Sequence, residues 1–132
     1  MHQYYAVGLE EALVAVHAGI EEAKRKEVRV AIVVVDSAGN AILVARMDGA
    51  SAAAVRFATE KARAAAWTGV DTLSLEQSVG QRPAFATTGM VAVEGGVPVV
   101  FRNEVVGAIA VSGAQASQDA EIARAALVAL GC

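Results

Sequence analysis

The stretch VRVAIVVVDSAGNAILVARM, residues 28–47, predicts two antiparallel β-strands joined by a short turn. Val28 to Asp36 is a run rich in β-branched residues, which is typical of a strand covered on both faces. The residues that follow, up to Asn40, are dense in turn formers. Ala41 to Met47 is mainly apolar again, so the short connection makes it the second strand of a β-hairpin.

Helical periodicity surrounds this hairpin. Apolar residues at helical spacing predict a helix over residues 8–26, with acidic residues early and basic residues late, as the helix dipole favours. A second helix is expected from about Ser51 to Trp67, capped by Asp48 or Ser51. A closing helix is expected over residues 118–130, with Ser117 as its cap.

Three further strands are predicted between the second and the last helix. They are Met90 to Val93, Val97 to Phe101 and Glu104 to Val111, and turns of hairpin length separate them. Residues 68–89, which precede them, are polar and weakly periodic and are expected to form a lid over a pocket. The order of elements therefore favours a mixed α/β (α+β) domain with a mainly antiparallel sheet flanked by helices.

Composition and charge narrow the classes of function. The 132 residues are 55% hydrophobic and 19% charged, which is typical of one globular domain spanning residues 1–132. The net charge of −3 and the absence of a basic run argue against nucleic-acid binding. No apolar run approaches the roughly 20 residues that span a bilayer, and no leader pattern is present, so no membrane association is expected. The one cysteine, Cys132, rules out an internal disulfide, and a cytoplasmic location is expected.

Known phosphate-binding and nucleophile motifs are absent. The chain contains no GxGxxG, GxxxxGK(S/T) or GxSxG pattern, and its cysteine count excludes a cysteine-based metal site. Gly95-Gly96 precedes a strand, so no helix N-terminus follows it that could receive an anion. This glycine pair is therefore interpreted as a hairpin turn.

Asp119 is the most informative candidate residue. On a helical wheel it projects into the middle of the apolar face that Ile122, Ala126 and Leu130 define. The carboxylate either accepts N–H groups of the preceding loop or serves a ligand. If it is desolvated without a partner, its pKa rises and it becomes a candidate general acid or base.

Three other side chains each have two interpretations. Lys61 lies at the border of the small-residue face of the second helix and either snorkels to solvent or points into a pocket. His17 lies at the flank of the first helix's apolar face. It is either a half-buried boundary residue or a group that faces a ligand such as haem. Trp67 lies on a charged helix face, where a subunit interface or partial burial under the next segment would explain it.

Five motifs in order along the chain carry a family resemblance. They are Val34–Gly39, Arg46–Ala50, Lys61-Ala62, Gly95–Pro98, and Gly107–Gly113 continuing to Gln118-Asp119. Together they resemble the GlcG/HbpS family, which also includes the C-terminal domain of PduO-type proteins. The match runs over nearly the whole chain.

The resemblance implies a fold, an assembly and a set of site residues. The fold would be a three-layer α/β/α domain with a five-stranded antiparallel sheet, similar to profilin-like folds, in a homo-oligomer. Some members of the family bind haem or corrinoid, and others belong to operons for small-molecule catabolism. The positions that match the family's recurring motifs are Arg46, Asp48, Lys61, Gly95, Gly96, Ser112, Gly113 and Asp119. The chain departs from the family at Ala110 and Ala114, where glycine is more common. Both alanines reduce the conformational freedom of the backbone around Ser112-Gly113.

Three hypotheses on function follow. The first is a small-molecule-binding domain of the GlcG/HbpS type, with haem or another tetrapyrrole as one ligand, whose pocket gathers Arg46–Asp48, Lys61, Gly95-Gly96 and Ser112–Asp119. Gln118 and His17 complete its expected set of ligand-binding residues. The alternative is an isomerase or lyase acting by proton transfer, in which Lys61 and Arg46 hold an anionic metabolite and Asp119 moves the proton. The third is an interaction module whose glycines serve packing only.

Overall fold

Two β-hairpins and four α-helices alternate along the chain, which a computed structural model describes over residues 1–132. The elements in order are α1 Leu9–Arg25, β1 Ala31–Asp36, β2 Ala41–Arg46, α2 Ala52–Thr68, α3 Thr72–Gln81, a 3-10 helix Pro83–Thr88, β3 Gly96–Phe101, β4 Glu104–Ser112 and α4 Ala116–Ala129. None of the helices is both long enough and apolar enough to cross a bilayer.

The strands form one antiparallel sheet in the order β2-β1-β4-β3. The predicted first hairpin is confirmed, and Asp36 shapes its turn by accepting the backbone N–H groups of Ala38 and Asn40 at 3.0 and 2.9 Å. Because β1 lies between two partners and under helices on both faces, its apolar residues Ala31–Val35 are fully buried. That burial explains why β1 is apolar on both faces.

The sheet has four strands, so the expectation of five strands is wrong. Met90 to Val93 forms no strand, although its apolar residues resemble one. The outer edge of β3 is already closed, because the Thr72 hydroxyl accepts the Gly96 N–H at 2.8 Å and donates to the Gly96 carbonyl at 3.4 Å. Pro98, two residues on, has no N–H to offer a further strand. The profilin-like likeness stays a prediction.

Helices cover both faces of the sheet. Val33 and Val35 of β1 pack in one cluster with four alanines of α2, Ala58, Ala62, Ala65 and Ala66. The alternate residues, Ile32 and Val34, face the opposite way and pack in a cluster with α1 and α4. The period of two along β1 therefore divides the core into two layers.

Helix caps differ from those expected. Ser51 holds the N-cap position of α2 but makes no side-chain cap bond, and Asp48 lies exposed in the preceding loop. α4 begins at Ala116, so Ser117 lies inside the helix and Gln115 is its N-cap. The position of Ser51 is therefore confirmed but its side-chain cap bond is not, and the caps predicted at Asp48 and Ser117 are wrong. Sequence alone did not reveal this, because several residues near each helix start can act as caps.

Candidate functional site

The candidate site lies where β3 begins, β4 ends and α4 starts. Gly96 pairs with Ala110, and the Gly95 carbonyl accepts the Val111 N–H at 3.0 Å. The chain then leaves β4 at Ser112 and enters α4 three residues after Gly113. This geometry brings Gly95, Gly96 and the first turn of α4 to one end of the sheet. Because no strand precedes Gly95 and β3 begins at Gly96, the interpretation of this glycine pair as a hairpin turn is wrong.

Lys61 reaches this end of the sheet from α2. It is only 3% exposed, and its Nζ donates to the Val111 carbonyl at 3.0 Å and to Asp119 Oδ2 at 3.3 Å. The snorkelling interpretation is therefore wrong, and the ammonium points inward. The small side chains around Lys61 on α2 allow the helix to lie close to the sheet, which places the ammonium against β4.

Asp119 faces inward, as the helical wheel predicts, and is 2% exposed. Its Oδ1 accepts the Ala114 N–H at 3.0 Å, while Oδ2 pairs with Lys61. Burial raises the pKa of Asp119, and the negative charge of Glu94 adds to that rise. The Ala114 N–H and the Lys61 ammonium oppose the rise, but burial has the largest effect on this pKa. The carboxyl group thus binds a proton more readily than an ordinary aspartate.

The two glycines before β3 permit this close packing. Gly95 has φ +132°, and a Cβ there would lie 2.8 Å from both Lys61 Nζ and the Val111 carbonyl oxygen. A Cβ on Gly96 would lie 2.8 Å from the Lys61 carbonyl oxygen. Both glycines therefore have a steric role, bringing β3 against α2.

A cleft of about 310 Å³ opens beside the ion pair. Its lining consists of Phe57, Lys61, Val91, Val93, Ser112, Ala114, Ala116 and Asp119. The walls are mainly apolar, and the polar groups gather at one end. Such a combination of an apolar body and a few convergent polar groups is typical of a small-molecule site, and the volume is at the lower end of the usual range of about 300–1,000 Å³.

Ser112 and Arg46 lie in register across the sheet, on either side of Ala31, but only Ser112 lines the cleft. Ala31 pairs with Ser112 on one side and with Arg46 on the other, so all three side chains project toward the α2 face. Ser112 is 7% exposed and lines the cleft. Arg46 is exposed and two strand spacings away, about 10 Å, and is not part of the lining.

Six other predicted site residues lie outside the lining, and two of them are the glycines Gly95 and Gly96 described above. Asp48 is exposed, and its carbonyl accepts Arg29 Nη1 at 2.8 Å. Gly113 has φ +124° and makes the turn out of β4. Gln118 Oε1 accepts the Gln115 N–H at 3.2 Å and so helps to cap α4. His17 is exposed rather than half-buried. It lies on α1, which covers the face of the sheet opposite to α2.

Several lining residues had no role in the sequence-based predictions. Val91 and Val93 belong to the segment predicted as a strand. Glu94, the next residue along the chain, is outside the lining, but its charge repels that of Asp119. Phe57 is 53% exposed on α2 and lines the cleft. A large apolar residue away from the buried face of an amphipathic helix is the signal that could have identified it.

Comparison with known proteins places this geometry in a family. A family model described as haem degrading protein HbpS-like matches residues 7–128. Protein GlcG of Escherichia coli strain K12 is 39% identical over 97 residues, which cover 72% of each chain. A double mutant of Streptomyces reticuli HbpS superposes with a TM-score of 0.94 at 31% identity, covering all of this chain and 92% of that one.

A third likeness concerns the fold alone. A PduOC:haem complex superposes with a TM-score of 0.85 at 24% identity, covering 94% of each chain. The family model spans nearly the whole chain and the GlcG relative covers more than two thirds of it, so the chain belongs to the GlcG/HbpS family.

Proposed function

We propose that the chain is a small-molecule-binding domain whose ligand occupies the cleft beside Lys61 and Asp119. The observation that carries this proposal is a buried ion pair that lines a mainly apolar cleft. Burying two charges is costly, and replacing such a pair by apolar residues is often neutral or stabilising. A pair kept beside a cleft is therefore better explained by ligand binding than by stability.

Protein-observed NMR with a library of small acids, amines and neutral compounds tests this proposal. We expect ligands to shift the amide signals of Gly95, Gly96 and Ala114. Ala116→Leu, which fills the cleft, should abolish these shifts. Ala129→Leu, on the exposed end of α4, is the matched control and should leave them intact. Equal binding by the Ala116→Leu variant would place the ligand elsewhere.

Haem is a second candidate ligand, because the family model is described as haem-degrading and one structural neighbour is a haem complex. The cleft lining contains no His, Cys, Met or Tyr, so it offers none of the usual axial ligands of haem iron. His17 does fit: its imidazole is exposed, and Leu13 and Val14, one turn earlier, are 52% and 51% exposed. His17 would hold the iron and the aliphatic side chains would contact the macrocycle, while the haem itself would supply redox chemistry.

A haemin titration tests the haem proposal. We expect a saturable Soret band with the wild-type chain and its loss in His17→Ala. His2→Ala is the matched control, because His2 is the only other histidine and its side chain is 62% exposed. Absence of a saturable spectral change in the wild type would reject haem as the ligand.

The enzyme alternative rests on the raised pKa of Asp119. A carboxyl group with such a pKa beside an ammonium is suited to proton transfer in an isomerase or lyase. Lys61 would hold the substrate's anionic group; Arg46 would help only if its exposed side chain bends toward the cleft. Asp119→Asn should keep the fold and abolish turnover of a candidate metabolite. Full activity in that variant would exclude Asp119 from the chemistry.

A further inference from the structure

The polar end of the cleft has hydrogen-bond donors to spare. The Lys61 ammonium has three N–H groups, and two acceptors, the Val111 carbonyl and Asp119, account for two of them. The Ser112 hydroxyl forms no hydrogen bond with another protein group, and because every fully buried polar side-chain atom has a partner, this hydroxyl is accessible from the cleft. Both groups belong to residues that are less than 10% exposed. The ammonium can only donate and the hydroxyl can donate or accept, so a ligand that bridges both groups needs an acceptor atom.

The walls of the cleft limit the remainder of the ligand. Phe57, Val91, Val93 and Ala116 have apolar side chains, and the volume of about 310 Å³ suits a small molecule. An acceptor group at one end and an aliphatic body at the other describe a short-chain carboxylic acid. A carboxylate also makes a stronger, charge-assisted hydrogen bond to an ammonium than a neutral carbonyl makes.

The charges around Asp119 oppose a simple anion site. Lys61 of α2 contributes one positive charge, while Asp119 and Glu94, before β3, contribute two negative charges. Lys26 of α1 does not compensate, because it pairs with Glu121 and Glu22. An incoming carboxylate would therefore add a third negative charge near a single cation. The least costly way to accept it is to neutralise Asp119, since like charges favour the protonated form.

We propose that the cleft receives the carboxylate of a small aliphatic acid on Lys61 and Ser112, and that Asp119 takes up a proton from solvent as the acid binds. The proposal rests on the cleft being the ligand site. The protonated Asp119 carboxyl group then releases Lys61 to the ligand and keeps the Ala114 N–H as its partner. Binding then tightens as the pH falls toward the raised pKa of Asp119.

Isothermal titration calorimetry with sodium butyrate near pH 7, in phosphate and in Tris, tests the proposal. The two buffers differ in ionisation enthalpy, so uptake of up to one proton per butyrate appears as a difference in the observed binding enthalpy. Asp119→Asn should bind butyrate at least as tightly and lose that difference. Butyramide should bind more weakly with no buffer dependence, and butylamine should not bind.

Two variants test the donors. Ser112→Ala should keep the fold and bind butyrate several-fold more weakly. Lys61→Met combined with Asp119→Asn leaves no unpaired buried charge, so it should fold, and it should bind butyrate at least tenfold more weakly. Binding that is unchanged in both variants, or that shows no buffer dependence in the wild type, overturns the proposal. If amines or neutral compounds shift the amide signals of Gly95, Gly96 and Ala114 while butyrate does not, the cleft binds small molecules and only the proposal of a carboxylate ligand fails. If no compound shifts these signals, the proposed function fails too.

Discussion

At the scale of single residues, the Lys61–Asp119 pair is the least expected feature of the molecule. The helical wheel correctly predicts that Asp119 faces inward, because that property depends only on the period of one helix. The partner could not be predicted in this way, since 58 residues separate the two side chains. Only the packing of α2 against the end of β4 brings them together.

Replacing Lys61 alone should be costly. Lys61→Met leaves the Asp119 carboxylate buried without its cation, which is expected to lower the free energy of unfolding by about 3 kcal/mol. Adding Asp119→Leu removes the unpaired charge and should restore most of that loss. Urea denaturation of both variants measures the effect. Lys24→Met, which breaks an exposed pair with Glu21, is the matched control and should change little. Equal losses for Lys61→Met and Lys24→Met would contradict this account.

Asp119 should give the protein an unusual dependence on pH. Its folded pKa is raised, so the folded state binds the proton more tightly than the unfolded chain, whose carboxyl titrates near 3.8. Its contribution to stability is therefore fully present below 3.8 and is lost as the pH rises through the raised folded pKa. The free energy of unfolding of the wild type minus that of Asp119→Asn should increase as the pH falls across this window. Denaturation at several pH values measures the difference, and a decrease on acidification would refute the prediction.

At the scale of elements, sequence periodicity located α1, α2, α4 and both hairpins but not the limit of the sheet. Residues 68–89, expected to form a lid, instead contain α3 and the 3-10 helix, and none of them lines the cleft. Met90 to Val93 has the apolar composition of a strand, yet it forms part of the cleft wall instead. Whether a short apolar segment pairs depends on a free neighbouring edge, which its own residues do not encode. The hydroxyl of Thr72, from α3, occupies that edge.

Thr72 should therefore matter more to stability than its size suggests. Thr72→Val keeps the shape of the side chain but leaves the Gly96 N–H without its acceptor. We expect the free energy of unfolding to fall by about 2 kcal/mol, since an unpaired buried donor costs roughly 1–3 kcal/mol. Thr87→Val, which removes an exposed hydrogen bond to the Ala84 carbonyl, is the control and should have little effect. Similar losses in both variants would show that Thr72 does not close this edge.

At the scale of the whole molecule, the surface keeps large apolar side chains. Trp67 is 55% exposed although its Nε1 donates to the Ala38 carbonyl at 2.7 Å, so the following segment does not cover it. Leu9, Leu13 and Val128 are likewise more than half exposed. Composition predicted this surplus, because a small domain cannot bury all of a chain that is 55% hydrophobic. The cytoplasmic location remains a prediction.

We expect the chain to assemble into a homo-oligomer that covers Trp67. Light scattering should give a multiple of the 13.5 kDa chain mass. Trp67 is the only tryptophan, so its fluorescence reports on one position, and emission should shift to longer wavelength as dilution dissociates the oligomer. A monomer at all concentrations would disprove the assembly. An oligomer whose emission does not change on dissociation would place the interface away from Trp67.

The central position of β1 also has a consequence for synthesis. When the ribosome has released the first hairpin, Ala31–Val35 has β2 on one side, and its other edge is open until Glu104–Ser112 has been translated. An open, apolar and β-branched edge can pair with another nascent chain. The most protected strand of the finished protein is thus the one most exposed to aggregation during translation. Slow elongation between the two hairpins would lengthen that vulnerable period.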